Sequence, residues 1–163
     1  MADLGTACIT AALILAIYSG TSSLAGIRTG SPSLVLSSHR ATYFIPLLLG
    51  IATATLVVAF LQNDFSIRYV AEHSNTAMPR IYTWVAFYAG NEGSLLYVAM
   101  ALSVVAGITI RLLPRQLGSL RPYTNIVLMT ILVFYLGVLL FLASPFQELA
   151  IAPNDGRGIN PLL

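Results

Sequence analysis

The sequence predicts an all-α, polytopic integral membrane protein, with four transmembrane helices in a single membrane domain over residues 1–163. Three observations carry this. Only 9% of the residues are charged, where soluble domains carry about 25%, and the mean hydropathy is +0.83. Four apolar segments each approach the roughly 20 residues that a helix needs to cross a bilayer. None of them alternates as a barrel strand does, so each must satisfy its own backbone groups as a helix.

The first span is placed at about residues 4–25. It lacks the basic leader of a signal peptide, carries Asp3 instead and runs on past the usual length, so it reads as a retained span. Cys8, the only cysteine, sits in this apolar run; it excludes an intrachain disulfide and a redox pair, and reads as a small packing residue. The second span is placed at about 43–61. Between the two, Arg28, His39 and Arg40 read as a loop.

The third span is placed at about 91–110, which puts Glu92 at the lip of the membrane and not at its centre. Residues 81–90 then form an interfacial lead-in, whose Tyr82, Trp84 and Tyr88 suit the headgroup region. Gly90 and Gly93 would allow a bend there. The fourth span is placed at about 123–143, preceded by a loop holding Arg111, Arg115 and Arg121. An external loop over 62–90 and an extended, non-helical tail over 144–163 complete the chain.

All eight basic residues are arginines. Five of them (Arg28, Arg40, Arg111, Arg115 and Arg121) fall in the two loops without acids, and these loops are expected in the cytoplasm. Arg68, Arg80 and Arg157 fall on the other side, among the acids, so both termini are expected outside, on the periplasmic side. The inner arginines read as topology determinants and as contacts to lipid headgroups. A net charge of +2 is too small to suggest nucleic-acid binding.

Small residues at four-residue spacing (Ala12, Ala16 and Gly20; Ala99, Ser103 and Gly107; Gly50 and Ala54) would let helices approach closely. They serve packing within the chain or form a seam for further helices.

The polar segment from Phe65 to Leu96 holds most of the chemistry, because ionisable groups near hydrocarbon are expensive to keep. Glu92 is the leading candidate. Its carboxylate would be stabilised by the helix dipole and free N–H groups, or would meet a cation or a proton. His73 reads as a loop residue hydrogen-bonded with Asn75 and Glu72 more readily than as a metal ligand. His39 falls on the opposite side, so the two histidines cannot share one metal. No metalloprotease, nucleophile-elbow or phosphate-loop motif is present.

Two blocks of residues resemble the N-terminal part of the cytochrome c-type biogenesis protein CcmF/NrfE family. The family pattern F-S-V-x-Y-V-A-x-H-S-N stands here as Phe65-Ser66-Ile67, Tyr69-Val70-Ala71 and His73-Ser74-Asn75. Met78-Pro79, Tyr82 and Glu92-Gly93-Ser94-Leu95-Leu96 follow in order. After the fourth span come Ser144-Pro145-Phe146 and then Asp155-Gly156-Arg157-Gly158-Ile159-Asn160-Pro161-Leu162-Leu163. The family's W-G-G is Tyr88-Ala89-Gly90 here, and its lysine after Tyr82 is Thr83, which weakens any stacking of this lead-in on haem.

The resemblance implies a role in cytochrome c maturation, in the N-terminal membrane portion of a haem lyase subunit of a bacterial plasma membrane or an equivalent organellar inner membrane. It implies haem as the group handled. It also implies membrane lipid, a haem chaperone, apocytochrome c and the rest of the subunit (on the same chain or separately encoded) as partners. The family's tryptophan-rich segment and haem-ligand histidines have no counterpart here, so no cofactor-binding, metal or catalytic residue is carried over. Tyr69, His73, Asn75, Pro79, Glu92, Gly93, Arg157 and Asn160 are carried over as functional or structural candidates. The competing expectations are a non-enzymatic membrane scaffold or assembly factor, and a small four-helix transporter component, for which only polar side chains such as Thr53, Thr55 and Ser103 are available.

Overall fold

The computed structural model describes residues 1–157. Four helices in it are long and apolar enough to cross a membrane. Helix α1 is Ala2–Thr29, α2 is Pro32–Leu61, α5 is Asn91–Leu112 and α6 is Arg121–Phe141. Two shorter helices, α3 (Arg68–His73) and α4 (Arg80–Ala89), lie between α2 and α5, and a 3-10 turn over Arg115–Leu120 leads into α6. Helix α1 packs on α2 and α6, and α5 closes the ring by packing on the same two helices.

The third and fourth spans fall where the sequence places them. The first two are longer, and the expected loop between them is absent. Arg28 lies in the last turn of α1, and His39 and Arg40 lie inside α2. The reversal is confined to Gly30 and Ser31. Gly30 adopts the left-handed conformation (φ 65°, ψ 20°) that ends a helix, and Pro32 starts the next one. The serine-rich stretch 31–40 looks like a loop by composition, but two of its serines are bound to α1: Ser38 bonds to Ser23 at 2.8 Å, and Ser37 to Tyr18 at 2.7 Å. At 30 residues, α2 is about 45 Å long. It therefore outreaches a hydrocarbon core of about 30 Å, and its first turns project at the arginine-bearing end.

The core is aliphatic and tightly spaced. Ala12 and Ala16 of α1, Leu49 and Leu56 of α2, Ala99 of α5 and Leu136 of α6 are wholly buried. Cys8 is buried among them, as a packing residue. Two of the small-residue rows are thus used within the chain. The third is not: a side-chain carbon at Gly50 would meet nothing within 4 Å, and Ala54 is exposed. The outward faces are apolar too, with Phe44, Leu47 and Phe134 each at least 60% exposed. Water would penalise such a surface; lipid does not.

The opposite end is capped. An antiparallel bridge joins Ile67 to Glu148, with Arg68 N–H donating to the Gln147 carbonyl and Leu149 N–H to the Ser66 carbonyl, both at 2.8 Å. Phe146 is buried. The described part of the tail, residues 144–157, is non-helical and folds back over α3. Asp155 accepts from the Thr76 N–H at 2.9 Å and from its hydroxyl at 3.0 Å, and Arg157 N–H donates to the Ala71 carbonyl at 2.7 Å. Gly156 is needed at this crossing, because a side-chain carbon there would lie 2.0 Å from the Ser74 carbonyl oxygen.

Candidate functional site

Of the candidate residues, His73 and Gly93 meet at Tyr69. Its ring is buried and stands edge-on to Phe60 at 5.5 Å. Its hydroxyl donates to the Phe87 carbonyl at 2.9 Å and accepts from the Gly90 N–H at 3.1 Å. Phe87 lies in the last turn of α4, where carbonyls lack partners within the helix, and Gly90 is the break between α4 and α5. One phenol therefore fixes the corner between the lead-in and the third span. The bend expected at Gly90 is a full helix break, with φ −97° and ψ 170°.

Burial pushes the Tyr69 hydroxyl up to about 12, against the pull of the Gly90 and Gly93 N–H groups, and the charge of Glu92 adds to the rise. The unfolded phenol ionises near 10, before the folded one. The contribution is therefore complete below pH 10 and is lost as pH rises from 10 to about 12. Tyr69→Phe is expected to remove that alkaline loss and to lower stability by about 1–3 kcal/mol at neutral pH, since the Phe87 carbonyl and the Gly90 N–H lose their partner. Thermal unfolding in detergent at pH 7 and pH 11 measures both effects.

His73 packs on the Tyr69 ring with centroids 4.5 Å apart. Its Nδ1 lies 3.0 Å from the Tyr69 carbonyl, and its Nε2 sits against Gly90. The expected bonds to Asn75 and Glu72 are not the ones made. Glu72 pairs with Arg68 at 2.9 Å, one helical turn away, because their i, i+4 spacing on α3 favours that contact. Asn75 accepts the Met78 N–H through its backbone, while its side-chain Oδ1 is buried without a partner among the described residues.

Pro79 is the N-cap of α4, its fixed φ of −60° setting the entry. Glu92 lies in the first turn of α5, partly buried, where a carboxylate suits the helix dipole. Its charge reaches both Arg68 and Tyr69. Gly93 is buried against the Phe87 carbonyl and the Tyr69 hydroxyl. The structure thus brings Tyr69, His73 and Gly93 into one contact set, with Glu92 at its rim. Arg157 joins through its backbone, its side chain exposed. Asn160 lies outside the described residues.

A second polar constellation was not foreseen from the sequence. Asn125 of α6 is wholly buried and donates to Ser19 at 2.8 Å and to Ser23 at 2.9 Å on α1, while accepting from Thr42 of α2 at 2.8 Å. Ser19 also reaches Thr42 and the Ser38 carbonyl. The available signal was a lone amide in an apolar span, together with two i, i+4 hydroxyl pairs, Ser19/Ser23 and Ser38/Thr42. Of the polar residues considered for a path through the bilayer, Thr55 and Ser103 bond to their own helix backbones and give a transporter no support, while the Thr53 hydroxyl is buried without a partner among the described residues.

Among the described residues, the two histidines are too far apart to hold one haem between them. The helix from His39 to Leu61 alone spans roughly 33 Å at about 1.5 Å per residue, and His73 lies beyond its far end. The two histidines therefore cannot ligate one iron. The chain by itself is expected to show no stoichiometric Soret band; a strong bis-histidine haem spectrum would contradict this placement.

No protein-family model matches the chain. Curated relatives do, along almost its whole length. It is 31% identical to the cytochrome c-type biogenesis protein CycK of Rhizobium meliloti (strain 1021), covering 99% of this chain and 24% of that protein. It is 33% identical to the cytochrome c-type biogenesis protein CcmF of Pseudomonas aeruginosa, over 99% and 25%. It is 28% identical to the cytochrome c-type biogenesis protein NrfE of Haemophilus influenzae, over 85% and 22%. A solved structure of cytochrome c haem lyase CcmF superimposes with a TM-score of 0.84 at 27% identity, over 90% of this chain and 24% of that one. The chain resembles the N-terminal part of these proteins and spans about a quarter of their length. It is an integral membrane protein.

Proposed function

We propose that this chain is the N-terminal membrane portion of a haem lyase subunit, and that it acts in cytochrome c maturation in a bacterial plasma membrane or an equivalent organellar inner membrane. The observation that carries the reading is the agreement in sequence and fold, along nearly the whole chain, with the start of proteins named for that process. The arginine bias supports an orientation with the Tyr69 cap and both termini outside, in the compartment where cytochrome c is assembled.

In this reading the cap is a fixed wall of the outer vestibule. Tyr69 locks α4 to α5, the returning tail clamps α3, and His73, Asn75 and Glu92 present polar groups around that rigid corner. These residues hold loop geometry or touch the partner that delivers haem, and they leave iron ligation to residues elsewhere in the subunit. Apocytochrome c and a haem chaperone are the partners proposed, with membrane lipid around the apolar faces.

The test is Glu92→Gln in the native gene, read by haem staining of c-type cytochromes. Mature cytochrome is expected to fall several-fold while the amount of inserted protein stays unchanged. Undiminished cytochrome would reduce Glu92 to a helix-start residue. Reporter fusions after residue 144 and within 113–120 read the orientation; a cytoplasmic signal from the first would reverse it.

A further inference from the structure

We infer that the groove between α2 and α5 seats one anionic phospholipid, its phosphate between Arg40 and Arg111 and an acyl chain along the groove. The groove has a volume of about 240 Å³ and is lined by Tyr43 and Pro46 of α2 and by Val104, Gly107, Ile108 and Arg111 of α5. Its floor is low because Gly107 has no side chain: a carbon added there would lie 3.7 Å from Cδ1 of Tyr43, an ordinary contact. Tyr43 and Gly107 are therefore level along the bundle. Arg111 stands four residues after Gly107, in the last turn of α5, and Arg40 stands three residues before Tyr43 on α2. At about 1.5 Å per residue the two arginines lie about 6 Å and about 4.5 Å beyond that contact, towards the same end of the bundle. Offsets of three and four residues keep each on the face it started from. Both side chains are exposed, so two guanidiniums from two helices flank one end of the groove.

Charge and shape select the occupant. No acid occurs from Leu4 to Asn63 or from Gly93 to Gln147, so this end of α2 and α5 offers cations without carboxylates to answer them. A guanidinium fork suits phosphate oxygens, and such charge-assisted bonds are the strong ones. Tyr43 is half exposed just below the arginines, as a tyrosine at headgroup depth is. Deeper in, the lining turns apolar with Pro46, Val104 and Ile108, which suits an acyl chain and not a free ion. A further helix, about 10–12 Å across with its side chains, would bridge so small a groove without filling it. The groove on the opposite seam, between α1 and α6, is lined by residues such as Gly20, Thr21 and Val133 and by no charged side chain. Cations and an apolar channel coincide on the α2–α5 seam and not on that one.

The test uses the native protein purified from its own membrane. Lipid retention is read by native mass spectrometry after exchange into defined phosphatidylglycerol or phosphatidylcholine. Phosphatidylglycerol is expected to be retained and phosphatidylcholine lost. R111Q should lower retention about tenfold, whereas R28Q, which removes an exposed charge from the end of α1 at the same level, should leave it unchanged. G107L fills the groove without touching a charge and should lower retention several-fold; G137L, on α6 and outside the groove, should not. A photoreactive residue at position 108 should yield lipid adducts. Equal losses in R28Q and R111Q, equal retention of the two lipids, or full retention in G107L would each overturn the site. A peptide adduct from position 108 would give the groove to a further helix, and release by millimolar inorganic phosphate would reduce the site to one for a free anion; either would overturn the lipid.

Discussion

Gly93→Ala is expected to be the most damaging single substitution in the cap. The added carbon would sit 1.8 Å from the Phe87 carbonyl oxygen and 2.6 Å from the Tyr69 hydroxyl. The first obstacle is backbone, so relief requires α4 and α5 to move apart. That movement breaks the bond from Tyr69 to the same carbonyl, so two contacts fail together. Overpacking against a rigid neighbour costs about 1–3 kcal/mol, and the lost hydrogen bond adds about 1 kcal/mol. A cap detached at this corner should be cleaved early by protease between residues 74 and 91, and under the proposed function mature cytochrome c should fall to background. Gly137→Ala is the control. Nothing lies within 4 Å of its added carbon, and in a helix interior alanine is favoured over glycine by up to about 1 kcal/mol. Equal protease resistance in the Gly93 and Gly137 variants would show that the corner is not fixed as described.

Asn125→Leu is expected to have the largest effect within the membrane. The side chain keeps nearly the same size but loses three bonds to Ser19, Ser23 and Thr42. Interhelical hydrogen bonds in membranes average about 0.6 kcal/mol, with a ceiling near 1.7, so the loss should be about 2 kcal/mol. Thermal or detergent-induced unfolding measures it. Thr42→Val added to Asn125→Leu should cost less than the two single changes summed, because both break the same bond. Strict additivity would mean that the two side chains are not coupled.

The spans were legible in the sequence because lipid imposes one rule on every residue that crosses it. Asn91–Leu112 and Arg121–Phe141 fell almost where hydropathy placed them. The start of α2 did not, because Ser37, Ser38, His39 and Arg40 have loop composition, and the partners of the two serines on α1 become visible only once the helices are packed. The Asn125 constellation was missed for the same reason. Serines four residues apart mark one helical face, but nothing in the chain says which face meets which neighbour. At the cap, Tyr69, His73 and Gly93 stood out through their resemblance to family motifs, whereas the part played by Phe87 did not. A backbone carbonyl carries no residue signature, and its availability depends on the helix break at Gly90.

The returning tail sets an order for biogenesis. The cap is stitched by residues made after the fourth span: Asp155 holds Thr76 across 79 positions of chain, and Gln147 and Leu149 pair with strand-like backbone laid down before the third span exists. Neither bond can form until α5 and α6 have been threaded through the bilayer. Until then the segment from Phe65 to Pro79 must wait with its edge uncovered. Closure of the cap therefore reports that all four spans have been inserted, and a chain arrested before α6 should be the one that quality-control proteases recognise at this segment.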